Sequence, residues 1–192
     1  MNNQYFPLVV VAVMLALGLT LTIDDFNSTA VLINGKLGTG VSEVAIDRRT
    51  LAGDGPGTGA TRLEASHNGY VARYGLNHRR ILILRDDGTE LRGEDSLVPS
   101  GRKGKRGTIA VVLRFHLGPH IELAQGRDGM GVTLALPDGS LWQFRSGRDP
   151  VHVEESLWAD GQGRPIGTRQ LVITAKVSRS GETFSWLLKK MR

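Results

Sequence analysis

The chain has 192 residues and no cysteine, with 24 Lys and Arg against 19 Asp and Glu, a net charge of +5 and a pI near 9.9. Without thiols it has no disulfide framework, no cysteine-based zinc site, no iron–sulfur cluster and no cysteine nucleophile. The 40% hydrophobic content excludes wholesale disorder, and the length suits one domain or one domain plus a leader.

From Met1 to Ile23 there is no charged side chain, and the run from Leu8 to Leu17 is nearly all aliphatic. Residues 6–23 would make a helix of about 27 Å, just enough to cross a bilayer core. The chain is therefore divided into a hydrophobic leader at 1–23 and a body at 24–192. Three readings of the leader stand side by side. It is a membrane anchor through residues 6–23, a secretory signal lacking a basic n-region and a clear cleavage site, or a buried strand favoured by Val9-Val10-Val11. The first two place the protein at the membrane or in the periplasm, and the third in the cytoplasm.

Past residue 19, short apolar runs alternate with turn pairs. Asn34-Gly35, Asn68-Gly69, Asp87-Gly88, Asp128-Gly129, Asp138-Gly139 and Asp160-Gly161 all suit type I′ turns, whose two central residues need positive φ. Frequent turns explain the glycine excess, 25 residues where an average chain has fewer. Residues 108–117 (TIAVVLRFHL), 131–136 (GVTLAL), 140–145 (SLWQFR) and 170–177 (QLVITAKV) have strand composition. In the last, Leu171, Ile173, Ala175 and Val177 share one face, with Val172 the exception. Residues 131–145 are read as one hairpin. The pattern predicts an all-β protein, an antiparallel β-sandwich of many short strands behind an N-terminal hydrophobic segment. Residues 52–61 (AGDGPGTGAT) are expected to be a loop or linker.

The loop at 99–107 (PSGRKGKRG) gathers Arg102, Lys103, Lys105 and Arg106. Such a cluster is either a solvated connection or a contact for a polyanion. An acidic polysaccharide fits the charge as well as nucleic acid does, but no nucleic-acid reader motif accompanies the cluster and aromatic residues are few, so nucleic acid is not expected. None of the five histidines has compact metal spacing, and no cofactor motif is present, so neither a metal nor a cofactor is expected.

The densest polar run is SHNGYVARYGLNHRR at 66–80, which holds His67, Tyr70, Arg73, Tyr74, His78, Arg79 and Arg80. As one extended strand it would turn Tyr70, Tyr74 and His78 to a common face. Imidazole and phenol are the groups that β-elimination of a uronate needs. One takes the C5 proton and another protonates the departing O4, while a cation neutralises the carboxylate. The same spacing also suits a cross-strand ladder that holds a turn.

This segment, ASHNGYVARYGLNHRRILIL, followed by GTELRGEDSLVP, resembles the C-terminal region of the heparinase II/III-like proteins of bacteria. RFHLGPHIEL, the closing RQLVITAKVSRSGETFSWLLKK and the opening LTIDDFNSTAVL extend the resemblance over residues 19–192. Its most distinctive pieces are the His-x-Gly-Tyr step at His67 to Tyr70 and the Gly-Glu-Asp step at Gly93 to Asp95. The resemblance implies a β-sandwich linked to polysaccharide lyases that act by β-elimination on uronate-containing acidic polysaccharide. In that family most catalytic Asn, Tyr and His residues lie in a preceding α/α toroid and at its junction with the sandwich. No toroid and no His-Ala-His-Ala-Asp segment occurs in these 192 residues. Ala16-Leu17-Gly18 stands where the family's junction histidine would be. His67 and Tyr70 match family-like positions and are the candidate catalytic residues. Arg73, Arg79, Arg102, Lys103, Lys105 and Arg106 are the candidate glycan-binding residues. The resemblance implies a lyase-linked domain, inactive alone, with a separately encoded toroid as the partner that would complete it. The alternative is a noncatalytic, membrane-anchored module that binds acidic glycan or another partner.

Overall fold

The computed structural model describes residues 18–29, 40–55, 58–101 and 107–191. Two antiparallel sheets pack face to face. The first has the order β1-β6-β11-β10, from β1 (Gly18–Ile23), β6 (Thr108–His116), β11 (Pro165–Ser178) and β10 (Val151–Ala159). The second has eight strands in the order β2-β3-β4-β5-β12-β9-β8-β7. These are β2 (Val44–Leu51), β3 (Ala60–His67), β4 (Leu76–Arg85), β5 (Glu90–Pro99), β12 (Glu182–Lys190), β9 (Leu141–Ser146), β8 (Gly131–Ala135) and β7 (Glu122–Gln125). The expected β-sandwich is thus the fold.

The core lies between the sheets because each central strand alternates apolar and polar residues. Ile109, Val111, Leu113 and Phe115 of β6 face Leu91 and Leu97 of β5 and Phe184, Trp186 and Leu188 of β12 within one buried cluster. Leu171, Ile173, Ala175 and Val177 join it from β11, as the period-two pattern predicts. Phe115 packs edge-on to Phe144 and Trp186, with centroids 4.7 and 5.1 Å away. The eight-stranded sheet is the wider layer, so Val44 and Ile46 of its edge strand β2 are exposed.

The structure moves one boundary. The last six residues of the apolar leader form β1, paired with β6 from Gly18↔His116 to Ile23↔Val111, and Leu21 and Ile23 are buried in the core. The sandwich therefore includes residues 18–23, and residues 6–23 do not form a single membrane-crossing helix. The alternation of Leu19, Leu21 and Ile23 with Gly18, Thr20 and Thr22 is the strand signal that separates this piece from the continuous aliphatic run before it. Residues 1–17 lie outside the described residues. Among the described residues no helix is long and apolar enough to cross a membrane. Asp24 and Asp25 follow β1 with φ of 47° and 63°, a left-handed pair that aspartate tolerates, and Asp24 Oδ1 accepts the Ala110 N–H at 2.9 Å.

The turn pairs mark real reversals, but not of the expected type. Gly88, Gly129 and Gly139 are left-handed at 69°, 69° and 80°, while Asp87, Asp128 and Asp138 are not. Each aspartate instead accepts the backbone N–H two residues on, from Thr89, Met130 and Ser140. These are Asx turns with one left-handed glycine, in loops longer than two residues. At Asp160-Gly161 the positive φ falls on Gly163. Asn34-Gly35 lies outside the described residues.

Candidate functional site

The run from Ser66 to Arg80 is not one strand. β3 ends at His67, a single helical turn α1 (Val71–Tyr74) follows, Gly75 at φ 74° stops it, and β4 begins at Leu76. Asn68 anchors the loop: its Oδ1 accepts the N–H groups of Ser42 and Glu43 at 3.0 and 3.1 Å, and its Nδ2 donates to Ser42 Oγ at 2.8 Å. Tyr70 and Tyr74 do come together, with ring centroids 6.3 Å apart, but through a helical i, i+4 step rather than strand parity. His78 sits separately on β4.

Both phenols are used up by the fold. Tyr70 donates to the Leu21 carbonyl and Tyr74 to the Ile23 carbonyl at 3.0 Å; both side chains are buried. Arg80 Nη1 donates to the Leu19 carbonyl at 3.3 Å. In an antiparallel pair, alternate residues turn their backbone groups away from the partner strand. Leu19, Leu21 and Ile23 are such alternate residues of β1. The three side chains therefore satisfy the open side of an edge strand, which also blocks pairing with another chain there.

Behind them runs a buried polar chain. His67 Nδ1 accepts the Gly69 N–H at 3.2 Å, so its proton is on Nε2, which donates to His78 Nδ1 at 3.1 Å. His78 Nε2 then donates to Asp95 Oδ1 at 2.8 Å. Arg80 Nε donates to the same oxygen at 2.6 Å, and Trp186 Nε1 donates to Asp95 Oδ2 at 3.1 Å. Asp95 is fully buried. Burial pushes its carboxyl up, but the His78 hydrogen bond and the Arg80 charge outweigh this and hold it below the usual carboxylate range. Burial, then the neighbouring His78 and Arg80, bring His67 down to about 4. Burial, then Tyr74, push Tyr70 up to about 12.

These environments set the surroundings of the two candidate catalytic residues. A general base or acid works best with a pKa near the working pH and a free atom aimed at substrate. His67 is a weak base with Nδ1 taken by Gly69, and the Tyr70 proton is held by a backbone carbonyl. The depression of His67 also predicts a pH effect. Its folded pKa lies below the unfolded value of 6.5, so the unfolded chain takes up the proton first as pH falls. Stability supplied by neutral His67 is present above about pH 6.5 and is lost as pH drops toward 4. With allowance for solvent screening of a half-buried ring, the loss is roughly 1–2 kcal/mol. Urea midpoints at pH 7 and 4.5 for the wild type and His67→Gln will measure it; the difference should shrink in the variant.

The predicted basic residues separate. Arg73 stacks its guanidinium 3.3 Å from the Phe26 ring centroid. Arg79 points to the outer face of the eight-stranded sheet, 3.8 Å from Glu64 and 3.7 Å from Glu94. A concavity of about 510 Å3 there is lined by Glu43, Val44, Ser66, His67, Asn77 and Arg79, bringing His67 and Arg79 to one rim. Arg102, Lys103, Lys105 and Arg106 lie outside the described residues. Asp95 and Trp186, which with Arg80 form the hub, were not singled out from the sequence, although the Gly-Glu-Asp step and the closing tryptophan strand were their traces. Among the described residues no group of three or more His, Asp or Glu is placed to hold a metal.

Comparison with known proteins adds four findings. The family model described as Heparinase II/III-like, C-terminal, matches residues 20–187. FtsZ-localized protein C of Caulobacter vibrioides is 33% identical over 139 residues, covering 69% of this chain and 24% of that protein. Heparan sulfate lyase HepC from Pedobacter heparinus aligns in structure with a TM-score of 0.62 at 14% identity, over 89% of this chain and 23% of that one. A structure of heparinase III aligns at 0.59 and 16% identity, over 90% and 23%. At these identities the structural likeness is one of fold. The chain spans about a quarter of the length of each of these proteins.

Proposed function

Because the chain belongs to the heparinase II/III-like C-terminal family, we propose that it serves as the accessory β-sandwich of a polysaccharide-lyase-type assembly, contacting acidic, uronate-containing chains without cleaving them itself. One observation carries this reading: the acid–base groups of the Ser66 to Arg80 run are bound into the fold. Tyr70 and Tyr74 hold the edge of β1, and the His67–His78 pair ends on a buried carboxylate. β-Elimination needs a base at C5 and an acid at O4, both open to substrate. On this reading those groups come from an α/α toroid, in the same or another polypeptide. Glycan contact falls to Arg79 at the rim, to Arg73 and to the cluster of Arg102, Lys103, Lys105 and Arg106.

The test is to incubate the purified, folded chain with heparan sulfate, heparosan and alginate. Near-ultraviolet absorbance would report unsaturated uronate. No increase is expected, together with salt-sensitive retention on immobilised acidic glycan that weakens when Arg102, Lys103, Lys105 and Arg106 are neutralised. Rising absorbance would overturn the noncatalytic reading.

A second reading is favoured by the 33% identity to a protein named for its localisation with FtsZ. Here the sandwich is a protein-interaction module, and the prediction is co-sedimentation with FtsZ polymers. Failure to co-sediment at micromolar concentrations removes this reading.

A further inference from the structure

The outer face of the four-stranded sheet, turned away from the core, carries a polar cluster that the site above does not use. Leu171 and Ile173 of β11 point inward, so Ile166, Thr168, Gln170 and Val172 point outward. The β10–β11 register sets Trp158 beside Ile166, Ser156 beside Thr168, Glu154 beside Gln170 and His152 beside Val172. The β6–β11 register adds His116 beside Gln170.

Gln170 is the unusual member. It lies on an outward face, yet it is only 8% exposed. Its Oε1 is buried with no hydrogen-bond partner, while its Nε2 reaches Glu154 Oε2 at 3.4 Å. An unmet buried carbonyl is costly, and it marks a place where a donor from outside the protein would be welcome. Next to it His116 Nδ1 and Ser156 Oγ lie 2.9 Å apart. One row further along stand Trp158, half-buried, and Ile166, an apolar shelf on an otherwise polar ribbon. Successive rows are about 6.7 Å apart along a strand. A concavity of about 740 Å3, whose lining includes His120, Ser156, Thr168 and Arg169, opens at the same end.

We propose that this face is a saccharide-binding site. Trp158 and Ile166 take the apolar face of one pyranose ring, Ser156 takes a hydroxyl of the next, and Glu154 and Gln170, two rows or about 13 Å from the shelf, take hydroxyls further along the chain, with Gln170 Oε1 accepting from one as the side chains over it give way. An aromatic shelf followed by close-set donors and acceptors matches a ring that is apolar on its faces and polar at its rim. Glu154 disfavours a densely sulfated chain, so the ligand class is an unsulfated oligosaccharide. The site is on the opposite sheet from the His67–His78 pair, so its fate is independent of the lyase and FtsZ assays.

The experiment is a tryptophan fluorescence titration of the full chain with heparosan hexasaccharide, maltohexaose and heparin hexasaccharide. Trp142 and Trp186 are in the core, which leaves Trp158 to report. At least one unsulfated hexasaccharide is expected to shift the emission saturably. Gln170→Leu should weaken that binding about tenfold while the thermal midpoint stays level or rises, because the unmet oxygen is gone. Opposite movement of binding and stability is what a merely structural glutamine would not give. No shift with either unsulfated sugar at millimolar concentration, a response to heparin alone, or unchanged affinity in folded Gln170→Leu would overturn the proposal.

Discussion

Asp95→Ala is expected to lower the stability of the domain by about 3–5 kcal/mol, enough to unfold a marginal protein at body temperature. The carboxylate is fully buried and takes hydrogen bonds from His78, Arg80 and Trp186. Its removal leaves a guanidinium and an imidazole facing each other with no counter-charge, which is the costly way to break a buried ion pair. It also releases the Arg80 grip on the Leu19 carbonyl and so loosens β1. Denaturant midpoints followed by far-ultraviolet circular dichroism will measure the loss. The mechanism makes a second prediction. Arg80→Leu in the Asp95→Ala background should recover part of the stability, because no unpaired cation remains. A double variant as unstable as the sum of the singles would show that the two residues act separately.

Gly93→Ala is the second large effect, expected at about 3 kcal/mol. Gly93 is in the centre of the eight-stranded sheet, opposite Trp186 on β12 and Leu82 on β4. A Cβ built there would stand 2.0 Å from the indole ring. The ring cannot retreat without losing its edge contact with Phe115, its stacking with Phe144 and its hydrogen bond to Asp95. Trp186 emission should shift in the variant, and the urea midpoint should fall. Trp186→Leu would relieve the clash, so the double variant should lose less than the two single losses combined. The glycine here is not needed for a turn; it is needed because the tryptophan lies directly over the backbone.

These two residues belong to the Gly-Glu-Asp step that marked the sequence as resembling the heparinase II/III-like group. The His-x-Gly-Tyr step has the same character. Gly69 has no room for a Cβ, which would lie 2.6 Å from the Ser28 carbonyl oxygen, and His67 and Tyr70 are tied to His78 and to β1. Both distinctive steps are therefore part of how the sheets are joined.

Several features were legible without the structure. The hairpin at residues 131–145 forms as β8 and β9, and strands appear at each stretch with β composition. The spacing in the run from Ser66 to Arg80 leaves a continuous strand and a turn both open for a specific reason. A separation of four residues is in phase with a period of two and nearly in phase with 3.6, so Tyr70 and Tyr74 fit either geometry. Gly75 in the left-handed region shows which one the chain adopts. The type I′ expectation failed because an aspartate before glycine can close a turn through its own carboxylate.

By itself the sequence determined the all-β class, the positions of most reversals and the family likeness. Those depend on neighbours within a few residues: alternation, left-handed glycine and side-chain-to-backbone hydrogen bonds. The tertiary structure alone decided that residues 18–23 join the four-stranded sheet, that Asp95 is the meeting point of β4, β5 and β12, and that Gln170 is buried on an outward face. Each of these depends on register between strands far apart in the chain. A shift of one residue would move every side chain to the opposite face, and that choice is made by how the two sheets bury their apolar surfaces against each other.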